Sequence, residues 1–250
     1  MIEETSSTNE LAKQLALSGA KEGTIIISAT QSSGRGRLRR TWASPLGGLW
    51  FSIILRPRIR PADVHKLTVL AGLSAAETLR RLYGLAIETK WPNDILVDGR
   101  KICGILCEAH SKGEKVNFAI VGIGINANFD PLKALPNSIA ANASSIETEL
   151  GRRIRLEDLL AALLERLEAN YDTCMESGFA SILAVWKKHA SFLGQEVRVI
   201  DRGKPITGLA EDVDEEGYLV IKLKNGTSKH VLAGDVSLRK KTQETIERKK

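Results

Sequence analysis

The sequence predicts an α+β protein: a mixed, mainly antiparallel sheet flanked by helices, followed by a small all-β unit. Three observations carry this. Between Ile87 and Gly122, apolar runs at Ile87–Lys90, Ile95–Val97, Lys101–Glu108 and Val116–Gly122 are separated by only a few residues, including the turn pairs Asp98-Gly99 and Lys112-Gly113. Such short gaps suit antiparallel hairpins and exclude parallel crossovers, which need about a dozen residues or more. Helical patterns lie on both sides of this region, and near Ser191 the texture changes to short strands and tight turns.

In chain order, a short first strand at Met1–Glu4 precedes the helix-start signal Ser6-Ser7-Thr8-Asn9. Glu10 falls in the first turn of that helix, and Leu11 and Leu15 share a face. Thr24–Ala29 is a β-branched apolar run and predicts a buried strand; Gly48–Leu55 predicts a second. Pro61 opens a helical pattern through Leu67, Leu70, Leu73 and Leu79 that ends near Gly84. After the hairpins, Asn126 to Ser145 is polar and alanine-rich and reads as loop with a short helix after it. Leu156–Tyr171 is amphipathic, with Leu159, Leu160, Leu163, Leu164 and Leu167 on one face, and Phe179–Ala190 predicts one more helix. Val197–Ile200, Ile206–Val213, Tyr218–Lys222 and Lys229–Val231 are short strands of a small barrel. The expected division is residues 1–190, a barrel over 191–240 and a charged tail at 241–250.

Composition bounds the rest. Of the 250 residues, 43% are hydrophobic and 26% charged, which is ordinary for a globular chain with a sizeable core. A net charge of +6 permits anionic partners without choosing one. Cys103, Cys107 and Cys174 form no disulfide framework, and Met1-Ile2-Glu3-Glu4 lacks the character of a secretory signal. No apolar run approaches the ~20 residues of a membrane span. A cytoplasmic protein without a membrane partner is the expectation.

The chemistry centres on Gly34–Arg40, which carries four arginines in seven residues. Arginine supplies a permanent charge and a planar fork of donors suited to phosphate and carboxylate. The arginines alone favour a solvated basic turn over a nucleic-acid contact, which usually brings longer tracts or interleaved aromatics, or a ligand loop ordered around a nucleotide phosphate. Its place between two strands favours the last, because both ends are fixed. Lys90-Trp91-Pro92-Asn93-Asp94 ends a strand and presents an amide and a carboxylate, or is only a proline turn. Lys101 opens an otherwise apolar strand, as an edge residue or a point charge for an anion. In Gly122-Ile-Gly124-Ile-Asn126 no third glycine or prompt helix follows, so a dinucleotide fold is excluded. These glycines would let a ligand lie against the strand, with Asn126 as a polar handle. Ser7 and Thr8 are helix-cap residues able to lend hydroxyls to a ligand. His65, His110, His189 and His230 show no metal-ligand spacing, and Cys103 and Cys107, four apart on a strand, face one side as core.

Together, Ser7-Thr8-Asn9, Gln31 before Gly34-Arg35-Gly36-Arg37, Trp42, Lys90-Trp91-Pro92-Asn93-Asp94, Lys101-x-x-Gly104-Ile105-Leu106 and Gly122-x-Gly124-Ile125-Asn126 resemble the biotin protein ligase family. The order and spacing of these blocks match over residues 5–127. The resemblance implies a class II synthetase-like catalytic domain with a small SH3-like C-terminal β-barrel, and a two-step reaction. Biotin and ATP would give biotinyl-5′-AMP and pyrophosphate, with Mg²⁺ assisting; a lysine of a biotin carboxyl carrier domain would then take the biotin and release AMP. By the same resemblance, Arg37 and Lys101 neutralise the carboxylate–phosphate junction, and Asp94 orients or deprotonates the acceptor lysine. Ser7, Thr8, Asn9, Gln31, Gly34, Arg35 and Gly36 would hold the ureido end of biotin, and Gly104 and Leu106 its apolar tail. Trp42, Asn93 and Asn126 would lie near the adenylate, with Arg40 on the pyrophosphate.

Family members that double as repressors carry a helix-turn-helix domain of ~60 residues ahead of the catalytic part. Ser7 stands almost at the N-terminus, so no DNA partner is expected; a homodimer is. The lipoate ligases share the fold, but their Arg-Arg-x-Ser-Gly-Gly-Gly pattern is absent. A lipoate-type ligase and a basic nucleic-acid-binding module are the two alternatives. The charged loop is expected to be mobile when empty and to close over bound adenylate.

Overall fold

The structure, a computed structural model, describes residues 1–201, 203–232 and 234–238. Arg202, in an expected turn, the last two residues of the expected barrel and the expected charged tail lie outside the described residues. The chain runs β1 (Ile2–Thr5), α1 (Thr8–Leu17), β2 (Ile25–Gln31), β3 (Leu49–Leu55), α2 (Val64–Tyr83), β4 (Ile87–Lys90), β5 (Asp94–Val97), β6 (Arg100–Lys112) and β7 (Lys115–Ile125). Three short helices follow, α3 (Pro131–Ala134), α4 (Asn137–Ala140) and α5 (Ile146–Leu150), then α6 (Leu156–Ser177) and α7 (Phe179–Lys187). Strands β8 (Glu196–Asp201), β9 (Lys204–Val213), β10 (Leu219–Lys222), β11 (Ser228–Val231) and β12 (Asp235–Leu238) complete the described chain.

Seven strands form the larger sheet in the order β1-β2-β3-β7-β6-β5-β4. β1 and β2 pair in parallel, joined through α1, while the remaining neighbours are antiparallel. The hairpins expected from their short gaps are those of β4 to β7, and α2 carries the chain across so that β7 lies beside β3. Every residue of β3 is buried, as befits a central strand covered on both faces.

The two faces are covered unequally. On one, α2, α6 and α7 pack over Phe51, Ile53, Cys103, Ile105, Val121 and Ile123 in a large apolar cluster. Leu67, Leu70, Leu73 and Leu79 of α2 are almost fully buried in it; truncating such a leucine to alanine costs about 2–5 kcal/mol. Gly84 ends α2 in the left-handed conformation (φ 66°), which a residue without Cβ adopts at little cost. On the other face α1 covers one part of the sheet only, setting Ala12 and Ala16 against Ile26, Ile54, Phe118 and Ile120. Beyond Ile54 and Ile120 the strands carry Ser52, Gly122 and Gly124, and there the sheet opens into a cleft.

Sequence and structure differ over the 126–145 stretch and in the number of C-terminal strands. The 126–145 stretch contains α3 and α4 rather than plain loop, started at Asp130-Pro131 and Pro136; the Asp130 carboxylate accepts from Leu132 N at 3.0 Å. The C-terminal sheet has five described strands, not four, in the order β11-β10-β9-β8-β12. Sequence reading missed β12 because it pairs with the distant β8 rather than with a hairpin neighbour. In the glycine-arginine loop the positive φ angles fall on Leu38 (55°) and Arg39 (59°), while Gly36 is extended (φ −115°). Gly34 is needed for space instead: a Cβ there would overlap the Trp42 carbonyl.

The C-terminal sheet packs on the larger one. Val197, Val199, Ala210 and Leu219 belong to the same apolar cluster as α2. Trp91 Nε1 donates to Gly217 O at 3.1 Å, Lys187 pairs with Asp212 at 2.7 Å and Lys66 with Glu216 at 3.0 Å. His65 makes a further contact to Glu216 O.

Candidate active site

The cleft, of about 300 Å³, lies on the sheet face that α1 leaves bare. The start of α1, the loop from Arg35 to Ala43, the Asn93-Asp94 turn and the segment from Leu135 to Ala143 rim it. Of the residues expected from sequence, Ser7, Thr8, Asn9, Gln31, Arg35, Gly36, Arg37, Arg40, Trp42, Asn93, Asp94, Lys101, Gly104, Leu106 and Asn126 all line it. Gly34 does not; it lies under the loop, its carbonyl accepting from Trp42 N at 2.9 Å. Leu135, Ser138, Ile139, Asn142 and Ala143 line it without having been expected. Their signal was the pair of helix starts at Asp130-Pro131 and Pro136, but what brings them to the cleft is long-range pairing. Lys101 N donates to Asn142 O at 2.8 Å and Ser144 N to Lys101 O at 2.9 Å.

One end of the cleft is a closed polar network. Gln31 Oε1 accepts from Thr8 N at 2.8 Å, and Gln31 Nε2 donates to Ser44 Oγ at 2.7 Å. The N-terminus of α1 is thus capped by Gln31, while Ser7 at the N-cap position makes no capping hydrogen bond. Ser52 Oγ lies 2.8 Å from Thr8 Oγ1 and 2.7 Å from Asn9 Oδ1. Asn9 Nδ2 donates to Glu108 Oε2 at 2.8 Å and to Leu106 O at 3.2 Å. Ser52, Gly122 and Leu106 are in register across β3, β7 and β6, so Asn9 spans the strand at Gly122 and bonds to both neighbours. Arg35 Nη2 completes the group at 3.1 Å from both Glu10 and Glu108.

The other end is cationic. The lining there carries Arg37, Arg40 and Lys101 against the carboxylate of Asp94. Lys101 Nζ lies 2.6 Å from Asp94 Oδ1 and 4.9 Å from the centroid of the Trp42 ring. Arg37 Nη1 donates to Asn93 Oδ1 at 3.2 Å and to Gly234 O at 3.3 Å, linking the loop to both sheets. Asn93 Nδ2 donates to Ile105 O at 2.9 Å beside the cis Trp91-Pro92 bond. Asn126, buried, donates its amide to Lys101 O at 3.3 Å and Ser144 O at 2.9 Å. Arg100 and Ser144 both bond to Glu149 of α5, which fixes the backbone beside Lys101. Such an excess of fixed positive charge in a partly enclosed cleft attracts an anion.

Gly104, Gly122 and Gly124 line the cleft, and they also make room for protein side chains. A Cβ at Gly122 would overlap Asn9, and Cβ atoms at Gly104 and Gly124 would crowd Trp42 at 2.9 and 2.6 Å. The cysteines lie on the opposite face, as expected. Cys103 is fully buried in the core and Cys107 packs against it. Burial pushes the Cys107 thiol up to about 12 and raises Cys103 as well, so neither is a ready thiolate. Among the described residues no cluster of three or more His, Cys, Asp or Glu is placed to hold a metal ion, and no helix is long and apolar enough to cross a membrane.

A bare sheet face with a polar pocket at one end and fixed cations at the other defines a small-molecule-binding α+β enzyme domain. Residues 1–126 match the model of the biotin/lipoate A/B protein ligase family, and residues 192–239 that of the biotin protein ligase C-terminal domain. The chain is 34% identical to the bifunctional ligase/repressor BirA of Bacillus subtilis, covering 93% of this chain and 71% of the relative. It is 32% identical to the biotin–[acetyl-CoA-carboxylase] ligase of Paracoccus denitrificans, over 89% of this chain and 93% of that one. The biotin protein ligase of Aquifex aeolicus in complex with biotin and ATP superposes with a TM-score of 0.82 at 31% identity, covering 95% of this chain and 97% of that structure. The chain belongs to the biotin/lipoate A/B protein ligase family.

Proposed function

We propose that this enzyme is an ATP-dependent biotin protein ligase. It joins biotin to the α-phosphate of ATP with release of pyrophosphate, then passes the biotinyl group to a lysine of a biotin carboxyl carrier domain. The observation that carries this reading is the polarity of the cleft. One end offers neutral hydrogen-bonding groups around Ser7, Thr8 and Asn9, and the other gathers Arg37, Arg40 and Lys101. A molecule with a polar, uncharged head, an apolar tail and a carboxylate suits that sequence of surfaces. The names of the relatives support the same substrate.

In the first step a biotin carboxylate oxygen attacks the α-phosphorus; the bond to the bridging oxygen breaks and pyrophosphate leaves. Two anions must approach, and negative charge gathers on the phosphate oxygens, so fixed cationic donors lower the barrier. Arg37 and Lys101 take that role, Arg40 holds the departing pyrophosphate, and Trp42, Asn93 and Asn126 border the nucleotide. Mg²⁺ suits this donor set as an ion carried mainly by the triphosphate, with Asp94 the lining carboxylate of a type that binds it. In the second step the acceptor amine attacks the biotinyl carbonyl and the C–O bond to AMP breaks. Asp94 orients or deprotonates that amine. Ser7, Thr8, Asn9, Gln31, Gly34, Arg35 and Gly36 hold the ureido end, with Gln31 and Gly34 acting through the network they fix. Gly104 and Leu106 border the tail, and the Gly34–Arg40 loop closes over the adenylate.

A homodimer and a cytoplasmic setting belong to this reading, and a DNA partner does not. Arg35 and Arg37 turn to partners around the cleft, Glu10, Glu108 and Asn93, rather than forming an open basic face. Pyrophosphate release with ATP and biotin, set against ATP and lipoate, tests the proposal. Release with biotin is expected; release with lipoate alone overturns it in favour of the lipoate-type ligase. Salt-sensitive binding in a gel shift would favour the nucleic-acid reading.

A further inference from the structure

We infer that Gly104 and Gly124 are positioning residues that set Trp42, and through it Lys101, for the activation step. This rests on the biotin ligase reading above. Trp50, Gly124, Gly104 and Asp94 stand in register across β3, β7, β6 and β5, forming one row on the open face of the sheet. The Trp42 indole lies along this row. Its pyrrole atoms come within 2.6–2.8 Å of where a Gly124 Cβ would stand, and its Cζ3 and Cη2 within 2.9–3.2 Å of a Gly104 Cβ, which also meets the flexible Lys101 stem at Cε, 3.1 Å away. Such distances leave no room for a methyl group at either position without moving the ring.

The ends of the row fix the rest. Trp50 meets Trp42 edge-on, with centroids 6.1 Å apart and an interplanar angle of 75°. At the other end Asp94 holds Lys101 Nζ, which also lies 4.9 Å from the Trp42 centroid. An ammonium over an indole face is held by the ring's quadrupole. The height of the indole above the two glycines therefore sets where Lys101 stands between Asp94 and the cleft. Trp42 Nε1 is buried without a hydrogen-bond partner among the described residues, so what holds the ring is shape rather than a polar anchor. A displacement of about an ångström at a charge-stabilising group is enough to cost a large factor in rate. The missing side chains of Gly104 and Gly124 thus make room for a protein ring, and at Gly104 for the Lys101 stem beside it.

The test is a mutant cycle on the full-length protein. Gly104→Ala and Gly124→Ala are made alone and in Trp42→Phe and Trp42→Ala backgrounds. Adenylate formation and transfer from pre-formed biotinyl-adenylate are measured separately, with a thermal melt on each protein. Either glycine variant alone is expected to lower kcat/KM for adenylate formation about tenfold or more, and transfer less. Because phenylalanine lacks Cζ3 and Cη2 of the indole, adding Gly104→Ala to Trp42→Phe should cost no more than about threefold. Gly124→Ala should be tolerated similarly only over Trp42→Ala. Equal losses in all backgrounds, or no loss from either glycine variant, overturn the inference. Should a single variant not fold, folding regained in the Trp42 background supports the clash, and its continued absence there overturns it. If the unmodified enzyme does not adenylate biotin, the function proposed above fails instead, and the melts of the cycle still report on the packing.

Discussion

Lys101 Nζ lies 2.6 Å from Asp94 Oδ1, on neighbouring strands of the same sheet and over the face of Trp42. An ion pair at the mouth of a cleft restrains a flexible lysine along one direction. Lys101→Ala removes the cation but leaves the sheet intact, because the backbone bonds to Asn142 and Ser144 remain. It is expected to reduce adenylate formation by about 10²-fold or more and transfer from pre-formed biotinyl-adenylate much less. Equal losses in the two half-reactions, measured in separate assays, would assign Lys101 to structure only.

Gly34→Ala tests the loop without touching a charge. The added methyl overlaps the Trp42 carbonyl, a backbone atom that moves only if the whole loop moves. Binding of biotin, followed by calorimetry, is expected to weaken about tenfold or more, with little change in melting temperature since few core contacts are involved.

Cys103 and Cys107 lie on the core side of β6, and burial holds the Cys107 thiol near 12. Native protein at neutral pH is expected to show neither residue alkylated by iodoacetamide, and urea-unfolded protein to show both. Cys107→Ser should retain adenylation and transfer, which separates this enzyme from any acyltransferase working through a cysteine.

Asp63 gives a pH dependence of stability. A hydrogen bond from Arg60 at 2.8 Å, aided by Lys66, lowers its carboxyl from 3.8 to about 2. With the folded value below the unfolded one, this stabilisation is present above about pH 4 and disappears as pH falls towards 2. Urea unfolding of Asp63→Asn across that range should show a shallower acid loss than the parent; identical slopes would place the acid sensitivity elsewhere.

Trp91 ties the two sheets together. Trp91→Phe leaves the Gly217 carbonyl without its donor in a buried contact, at a cost of about 1–3 kcal/mol. A fall of that size in urea stability is expected, with adenylation affected less than by Lys101→Ala. Unchanged stability would mean that the apolar cluster alone holds the C-terminal sheet in place.

Local patterns carry the parts of this protein that depend on nearest neighbours. Gaps of a few residues dictated the hairpins from β4 to β7, and the leucine spacing with Gly84 dictated α2 and its end. Short blocks bearing chemistry, from Ser7-Thr8-Asn9 to Gly124-Ile125-Asn126, named fifteen residues that share one cleft. What those side chains touch was decided only in three dimensions. Register across β3, β7, β6 and β5 set Gly124 and Gly104, both in the cleft lining, beneath the Trp42 ring. Gln31 became the cap of α1, and the amide nitrogen of Asn126, in the cleft lining, ties Lys101 to Ser144. In the arginine loop the left-handed φ angles fall on Leu38 and Arg39. Strand β12 and the Leu135–Ala143 rim escaped because their positions rest on pairing with residues far away in the chain. Periodicity reports burial on a chain's own strand or helix, whereas a site is an agreement among distant segments that only packing brings together.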